Sequence, residues 1–487
     1  MDVVISDKEY ASPRPPHLAF DEFAMDLLIH IQSFMDPADI MALRRSSKIM
    51  AAATRHRTVW ISALRRVCAL HEVPMCTYPV ENMSLAEFEH AATSPARFLA
   101  QIFKNRATDD LIPAFSTRLF KPRLPRFSPG PAPLGEVSLI RLIPGGRYLV
   151  TSSDANRICV WDLGYSPAAI VDPYPLASTV AAGLPRELLI QPTKDHRGLR
   201  LLTYYILGAI IEIMVFEIYP ATNKPTFTCI AKRRVDTPEF KAVAFTPERF
   251  TWHHDFLVTV WDFVEDTCAA LHIYQPLLNM TVSPTTIIGQ HEDGISVIDI
   301  PPLHPTGTPA AEVVVEPVTP LVMFSHVHAA FEHFADVYAP QGTWHSSPVA
   351  PVVLDVFGVL FDGTAAYARC PIKPVSGGDP DLPRALPVLS GISRVPPETY
   401  DSAEFGPLYF ARTHLVRTWL TGNSIMVNTA KIPARRQIEF ESNTDLLCEL
   451  PDGGTNWVYD LDPVSGRLVA LTTPEELRIL DYMLPNA

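Results

Sequence analysis

The sequence predicts an α+β multidomain chain: a small N-terminal three-helix unit, a helical and proline-rich linker, then a large all-β domain. Three observations point to it. Apolar residues fall at helical spacing between Leu27 and Trp60. The 487-residue chain carries 47 prolines against 22 glycines, scattered rather than clustered, and internal prolines exclude long helices. Beyond residue 129 one kind of strand ending recurs.

Leu27, Leu28, Ile31, Phe34 and Met35 share one stripe of a first helix. Asp36 reads as an N-cap, with Pro37 at the first helical position, where its missing N–H costs nothing. Asp39 adds negative charge to that first turn. Ile40, Leu43, Ser47 and Met50 form the inward stripe of this second helix, with Arg44, Arg45 and Lys48 off it. A third helix carries Trp60, Leu64 and Val67 on one face. So short a stretch cannot bury a core of its own, so a covering partner is expected.

Leu27-Leu28, Ile31, Phe34, Asp36-Pro37-Ala38-Asp39-Ile40, Leu43-Arg44, Ser47-Lys48 and Val59-Trp60 resemble, in order and spacing, the F-box pattern. The family's opening Leu-Pro is replaced here by Phe23-Ala24, which weakens the first turn. The resemblance implies the substrate-recognition subunit of a cullin–RING ubiquitin ligase. Such a subunit docks on the adaptor, and through it on a cullin, by Leu27, Leu28, Ile31, Phe34, Ile40, Leu43 and Trp60, with Pro37 fixing the turn. The alternative is an ordinary helical hairpin of some other domain.

The formal net charge of −13 argues against general nucleic-acid binding. Yet no acidic residue falls between Asp39 and Glu72, while Arg44, Arg45, Lys48, Arg55, Arg57, Arg65 and Arg66 do. This basic face suits nucleic acid or an acidic protein; the adaptors of the F-box family are acidic, which favours the second. Seven dispersed cysteines, with Cys159 and Cys229 in apolar strand-like runs, read as reduced, mostly buried thiols of an intracellular protein, cytoplasmic or nuclear. The opening MDVVISDKEY does not read as a signal peptide, and the sequons at Asn82 and Asn279 carry no weight without secretion. The apolar run Tyr204 to Tyr219 is too short to span a membrane and is broken by Glu212 and Glu217. Two buried strands with a turn near Leu207–Ala209 fit it better, and no membrane partner is expected.

The chain therefore divides into a flexible tail (1–16), an F-box (17–67), a linker (68–128) and an all-β domain (129–487). In the linker, Ser84-Leu85-Ala86-Glu87 is a capping box opening a helix, and Ser94-Pro95 starts another through Phe103. These helices are expected to form a stalk, followed by a stiff proline-rich connector from Lys121 to Pro133.

From Val137 to Leu163 the pattern is strand, Pro-Gly-Gly turn, strand, polar turn, and a strand ending Val160-Trp161-Asp162-Leu163. This resembles a WD-repeat blade, with Asp154 standing for the turn aspartate and no Gly-His pair. The ending recurs as Val258 to Phe263, Ser296 to Ile300 and Arg478 to Tyr482. A β-propeller of six to seven irregular blades follows, at about 40–45 residues each. Pro301–Pro320 and Pro371–Pro397 are read as loop insertions. Phe115–Phe120 is expected to pair with Leu468–Tyr482 and close the ring. An unclassified β-sandwich is the alternative.

Catalytic patterns are weak. Leu360-Phe361-Asp362-Gly363-Thr364 resembles a phosphatase loop, but Leu360 stands where the nucleophilic aspartate belongs, so a β-turn explains it better. His326, His328 and His333, with Glu332 and Asp336 near, do not complete a metal set. His253-His254-Asp255 and Gly289 to Gly294 read as polar turns, and Arg233-Arg234 and Arg435-Arg436 as pairs that nothing assigns to a phosphate. No phosphate loop, Gly-x-Ser-x-Gly or Cys-x-x-Cys occurs. The expectation is a receptor subunit rather than an enzyme, with no cofactor, binding an unknown protein substrate and working by proximity. The runner-up is a propeller scaffold that assembles proteins without ligase function.

Overall fold

The computed structural model describes residues 23–105, 111–124, 134–308 apart from 274 and 292–293, the strands between 331 and 431, and residues 442–451 and 458–484. Five helices come first: α1 (Met25–Gln32), α2 (Pro37–Arg44), α3 (Lys48–Ala53), α4 (Arg57–Leu70) and α5 (Leu85–Asn105). The expected second helix is thus two. Its break lies at two serines whose hydroxyls compete with the helix ladder. The Ser46 hydroxyl donates to the Leu43 carbonyl at 2.8 Å, and Ser47 Oγ accepts the Met50 N–H at 3.2 Å as the N-cap of α3. Asp36 holds the N-cap position of α2, but its side chain does not cap the helix.

The capping box forms as expected: Glu87 Oε2 accepts the Ser84 N–H at 2.7 Å, and Ser84 Oγ accepts the Glu87 N–H at 3.3 Å. The second linker helix, expected to start at Ser94-Pro95, does not exist separately, because Pro95 lies inside the continuous α5. Proline removes one ladder bond there. The Thr93 and Ser94 hydroxyls fold back on the Glu89 and His90 carbonyls, each at 2.7 Å.

Seven antiparallel sheets follow among the described residues. Strand β1 (Ser116–Phe120) precedes them. The first sheet is β2 (Val137–Leu142), β3 (Tyr148–Ser153), β4 (Arg157–Asp162) and β5 (Ala177–Val180). The second is β6 (Glu187–Pro192), β7 (Leu199–Leu207), β8 (Ile210–Ile218) and β9 (Thr228–Val235). The third is β10 (Ala242–Phe245), β11 (Arg249–His254), β12 (Leu257–Asp262) and β13 (Thr267–His272). The fourth holds β14 (Asn279–Val282), β15 (Thr286–His291) and β16 (Gly294–Asp299), after which β17 (His304–Pro305) turns back to pair with β13. The fifth contains β18 (Phe331–Tyr338), β19 (Val353–Leu360), β20 (Ala365–Pro374), β21 (Ala385–Pro387) and β22 (Gly391–Arg394). The sixth is β23 (Phe405–Ala411), β24 (His414–Thr421), β25 (Ser424–Lys431) and β26 (Ser442–Glu449). The seventh has β27 (Tyr459–Asp462), β28 (Arg467–Thr473) and β29 (Glu476–Asp481).

First strands β27, β2, β6, β10, β14 and β18 neighbour one another in turn, and β23 neighbours β27. That is the layout of a propeller, in which each sheet packs its faces on its neighbours. Strand β1 completes the seventh sheet by pairing with β29, Ser116 opposite Asp481 through Phe120 opposite Leu477. The pairing expected from sequence is the one observed, and β1 lies ahead of the boundary drawn at 129.

The strand endings that repeat in sequence occupy one structural position. Asp162, Asp262, Asp299 and Asp481 each close the third strand of a sheet. Three of these acids, and Glu217 in the second sheet, meet an arginine at or beside the start of the second strand. The pairs are Arg147–Asp162 at 2.8 Å, Arg200–Glu217 at 2.9 Å, Arg249–Asp262 at 3.4 Å and Arg467–Asp481 at 2.6 Å. Asp162 also accepts the Gly164 N–H at 2.9 Å, and Asp262 those of Val264 and Glu265 at 3.1 Å, so the acid also pins the next turn.

Several local expectations change in three dimensions. Cys229 is exposed on the edge strand β9 rather than buried. His253 is not in a turn but fully buried at the end of β11. The stretch read as a loop insertion from Pro371 contains the end of β20 and all of β21 and β22. His326, His328, residues 361–364 and Arg435-Arg436 lie outside the described residues. Arg233 lies over both Trp252 and Trp261 at 5.4 Å, and Arg234 pairs with the buried Glu212 at 3.5 Å. Tyr204 to Tyr219 is the β7–β8 hairpin, its turn at Leu207–Ala209 as expected. Among the described residues no helix is long and apolar enough to cross a membrane.

Candidate interaction surface

Two apolar clusters organise the helices. Leu28, Met50 and Ala53 pack together with Phe23, Met25, Ile29 and Ile49 around them. Ile40, Val59, Trp60, Ala63, Leu64 and Val67 pack on Phe88, Ala91 and Ala92 of α5 and on Val464, which lies between β27 and β28. The cover that the short N-terminal helices require is thus supplied largely by this same chain. Trp60 is sealed further by its indole N–H, which donates to the Thr54 carbonyl at 2.7 Å.

The eight residues singled out from sequence divide accordingly. Leu28, Ile40 and Trp60 have no exposure, so they shape the unit from inside. Ile31, Pro37 and Leu43 are half-buried. Leu27 and Phe34 face solvent, 43% and 70% exposed. His30 meets the Phe34 ring edge-on at 5.0 Å.

The basic run divides too. Arg44 forks onto Glu89 at 2.6 and 2.9 Å, bonds Thr54 Oγ1 at 2.9 Å and lies over the Trp60 ring. Arg57 donates to the Val80 and Met83 carbonyls across the Phe88 ring, and Arg66 to the carbonyls of Ser33 and Met35. Arg45, Lys48, Arg55 and Arg65 remain exposed. Charge-assisted bonds, bidentate at Arg44, make three of the seven basic residues structural.

The expected stalk is replaced by a dock. Phe98, Leu99 and Ile102 of α5 share a core with Val416, Ile425 and Val427 of the sixth sheet and Leu461, Leu468 and Leu480 of the seventh. The Tyr165 hydroxyl donates to Glu87 at 3.0 Å. Between α4 and α5, residues 73–78 lie against the first sheet. The Thr77 hydroxyl donates to the Pro144 carbonyl at 3.3 Å, Tyr148 donates to the Cys76 carbonyl at 3.2 Å, and the Met75 N–H donates to the His196 carbonyl at 3.0 Å. Gly145 is required here: its φ is +89°, and a Cβ would stand 2.6 Å from Thr77 and 2.8 Å from Val73.

Buried ionisable groups mark the dock. Burial raises the Asp462 carboxyl to about 6, although Ser465 and neighbouring backbone N–H groups pull the other way. Burial, with the Arg97 guanidinium beside it, lowers His90 to about 4. Burial pushes the Cys68 and Cys76 thiols up to about 12, so neither is a ready thiolate. Among the described residues no cluster of three His, Cys, Asp or Glu side chains could hold a metal ion.

These features define a class: a mostly β chain of propeller type with a helical unit fixed to one side. No family model matches the sequence, and no curated protein does. Among solved structures it is similar to the β-propeller domain of Cps50 (Swd1) from Myceliophteria thermophila, with TM-score 0.43 and 11% identity over 71% of this chain and 96% of that one. It is similar also to Sqt1 from Saccharomyces cerevisiae, with TM-score 0.39 and 11% identity over 72% and 84%.

That Leu27 and Phe34 belong to an apolar stripe was legible; their exposure was not, because Leu28 on the same stripe is buried. Nor was the dock through residues 73–78. Its groups are mostly backbone carbonyls and N–H groups, which leave no pattern in side-chain identity.

Proposed function

We propose that this chain is a non-catalytic interaction protein: a propeller scaffold that assembles protein partners, with α1 as one contact surface. The observation that carries it is the exposure of Leu27 in α1 and of Phe34 just past it, while Leu28 and Gln32 of the same helix are buried. Aromatic side chains such as Phe34 are enriched at protein interfaces. Exposed Arg45, Lys48, Arg55 and Arg65 on the same helical unit favour an acidic partner.

A finer reading has its own support: the order of residues from Leu27 to Trp60 resembles an F-box, which makes the acidic partner the adaptor of a cullin–RING ligase and the propeller the substrate receptor. Purified full-length chain mixed with the adaptor tests both readings. Under the finer reading the wild type binds and Phe34→Asp lowers affinity at least about tenfold, equivalent to roughly 1.4 kcal/mol, without moving the melting temperature. Failure of the wild type to bind removes the ligase reading. Affinity purification from native cells under proteasome inhibition then tests the scaffold itself; loss of no partner on Phe34→Asp would remove α1 as its contact surface.

A further inference from the structure

We propose that residues 73–78 are a clasp of the propeller ring itself, so that the helical unit and the first two sheets open and close as one body. The inference stands apart from the identity of any partner.

Neighbouring sheets are joined by one repeated contact. Each arginine paired with a third-strand acid has a second guanidinium nitrogen free to reach sideways. Arg200 of the second sheet donates to the Pro247 carbonyl, in the first turn of the third sheet. Arg249 of the third donates to the Pro284 carbonyl, in the first turn of the fourth, at 2.7 Å. Arg467 of the seventh donates to the Gly146 carbonyl, in the first turn of the first sheet. Each sheet of this set grips the next by a charge-assisted bond from its arginine to a turn, and Arg467 adds a second to the Gly164 carbonyl at 2.6 Å.

Arg147 occupies the same position in the first sheet, with the same acid partner in Asp162. Its counterpart would be the 193–198 turn of the second sheet. Instead its Nη1 donates to the Cys76 and Thr77 carbonyls, at 3.4 and 3.3 Å. The 193–198 turn is reached from the other side of the same segment, through the Met75 N–H on the His196 carbonyl at 3.0 Å. The chain from 75 to 77 thus stands between the arginine and the turn, and relays the grip. Cys76 enters the same core as Tyr148 and Val150 of the first sheet and Leu199 and Leu201 of the second. A loop merely resting on the surface would not place a side chain between two sheets.

Hydrogen exchange on the full-length chain tests this with a matched pair. Arg147→Ala is expected to speed exchange about tenfold both in α4–α5 and in the 193–198 turn, a local opening. Arg249→Ala is expected to speed exchange in the 283–286 turn and leave the helices as in wild type. Unchanged exchange in α4–α5 with Arg147→Ala would overturn the proposal. A second measurement does not depend on that variant folding. A protease site is placed between 105 and 111, and the chain is cut there before gel filtration. The helical fragment is expected to stay bound on gel filtration. Its release, with the propeller melting at an unchanged temperature, would also overturn the proposal.

Discussion

Helix α1 and the α4–α5 pair belong to one short stretch of sequence, yet the molecule uses them in opposite ways. Trp60 of α4 and Phe88 of α5 have no exposure and share a core that reaches Val464 of the seventh sheet. Phe34, just past α1, is 70% exposed, and Leu27 within α1 is 43% exposed. The difference teaches that one apolar stripe can hold two kinds of residue. Some keep the unit attached to its own chain; others are left over for a second molecule. Residue type does not separate them, because Leu28 and Leu27 are neighbours with opposite fates.

The largest effect is expected at Trp60. Trp60→Ala removes a fully buried ring, its bond to Thr54 and the surface under Arg44. A loss of about 3–5 kcal/mol is expected, read as a lower melting temperature. A cost below about 1 kcal/mol would mean that α4 is not part of the core.

Asp462 makes the stability of the dock depend on pH. Its carboxyl is raised to about 6 by burial, against an ordinary value of 3.8. The folded protein therefore holds this proton more tightly than the unfolded chain. The stability it contributes is fully present below about pH 4 and is lost as pH rises through 6. The difference corresponds to roughly 2–3 kcal/mol. His90, lowered to about 4 from 6.5, acts with the opposite sign in an overlapping window, since its neutral form is favoured by folding. Asp462→Asn should therefore remove one slope and leave the other, so that stability climbs more steeply from pH 4 to 6.5 than in wild type. Denaturation midpoints across that range measure it, and an unchanged profile would mean that Asp462 is not buried at the dock.

The smallest effect is expected at Phe34. Phe34→Ala should change stability by no more than about 0.5 kcal/mol, as for a surface substitution away from any packed feature. A loss comparable to that of Trp60→Ala would erase the contrast between α1 and the docked helices.

Much of the propeller was legible because its repeated signals are local. An alternating strand, a tight turn and an aspartate at the strand end recur in four of the seven sheets, and that aspartate has two tasks visible in Asp162 and Asp262: holding an arginine and pinning a turn. The helix break at Ser46-Ser47 was missed because apolar spacing continued across it while two hydroxyls ended one helix and began another. The continuity of α5 was missed for the reverse reason: Pro95 looked like a start, but its neighbours' hydroxyls occupy carbonyls within an unbroken helix.

By itself the sequence determined the helical start, the strand-rich remainder, the recurring aspartates and the pairing of residues 115–120 with the last strand. Periodicity and turn chemistry act over a few residues and need no knowledge of the whole. Only the tertiary structure decided that the helices dock on the propeller, that Trp60 is inside while Phe34 is outside, and that residues 73–78 lie between two sheets. Those outcomes depend on which surfaces meet once the ring has formed, and burial is a property of neighbours brought together from distant parts of the chain.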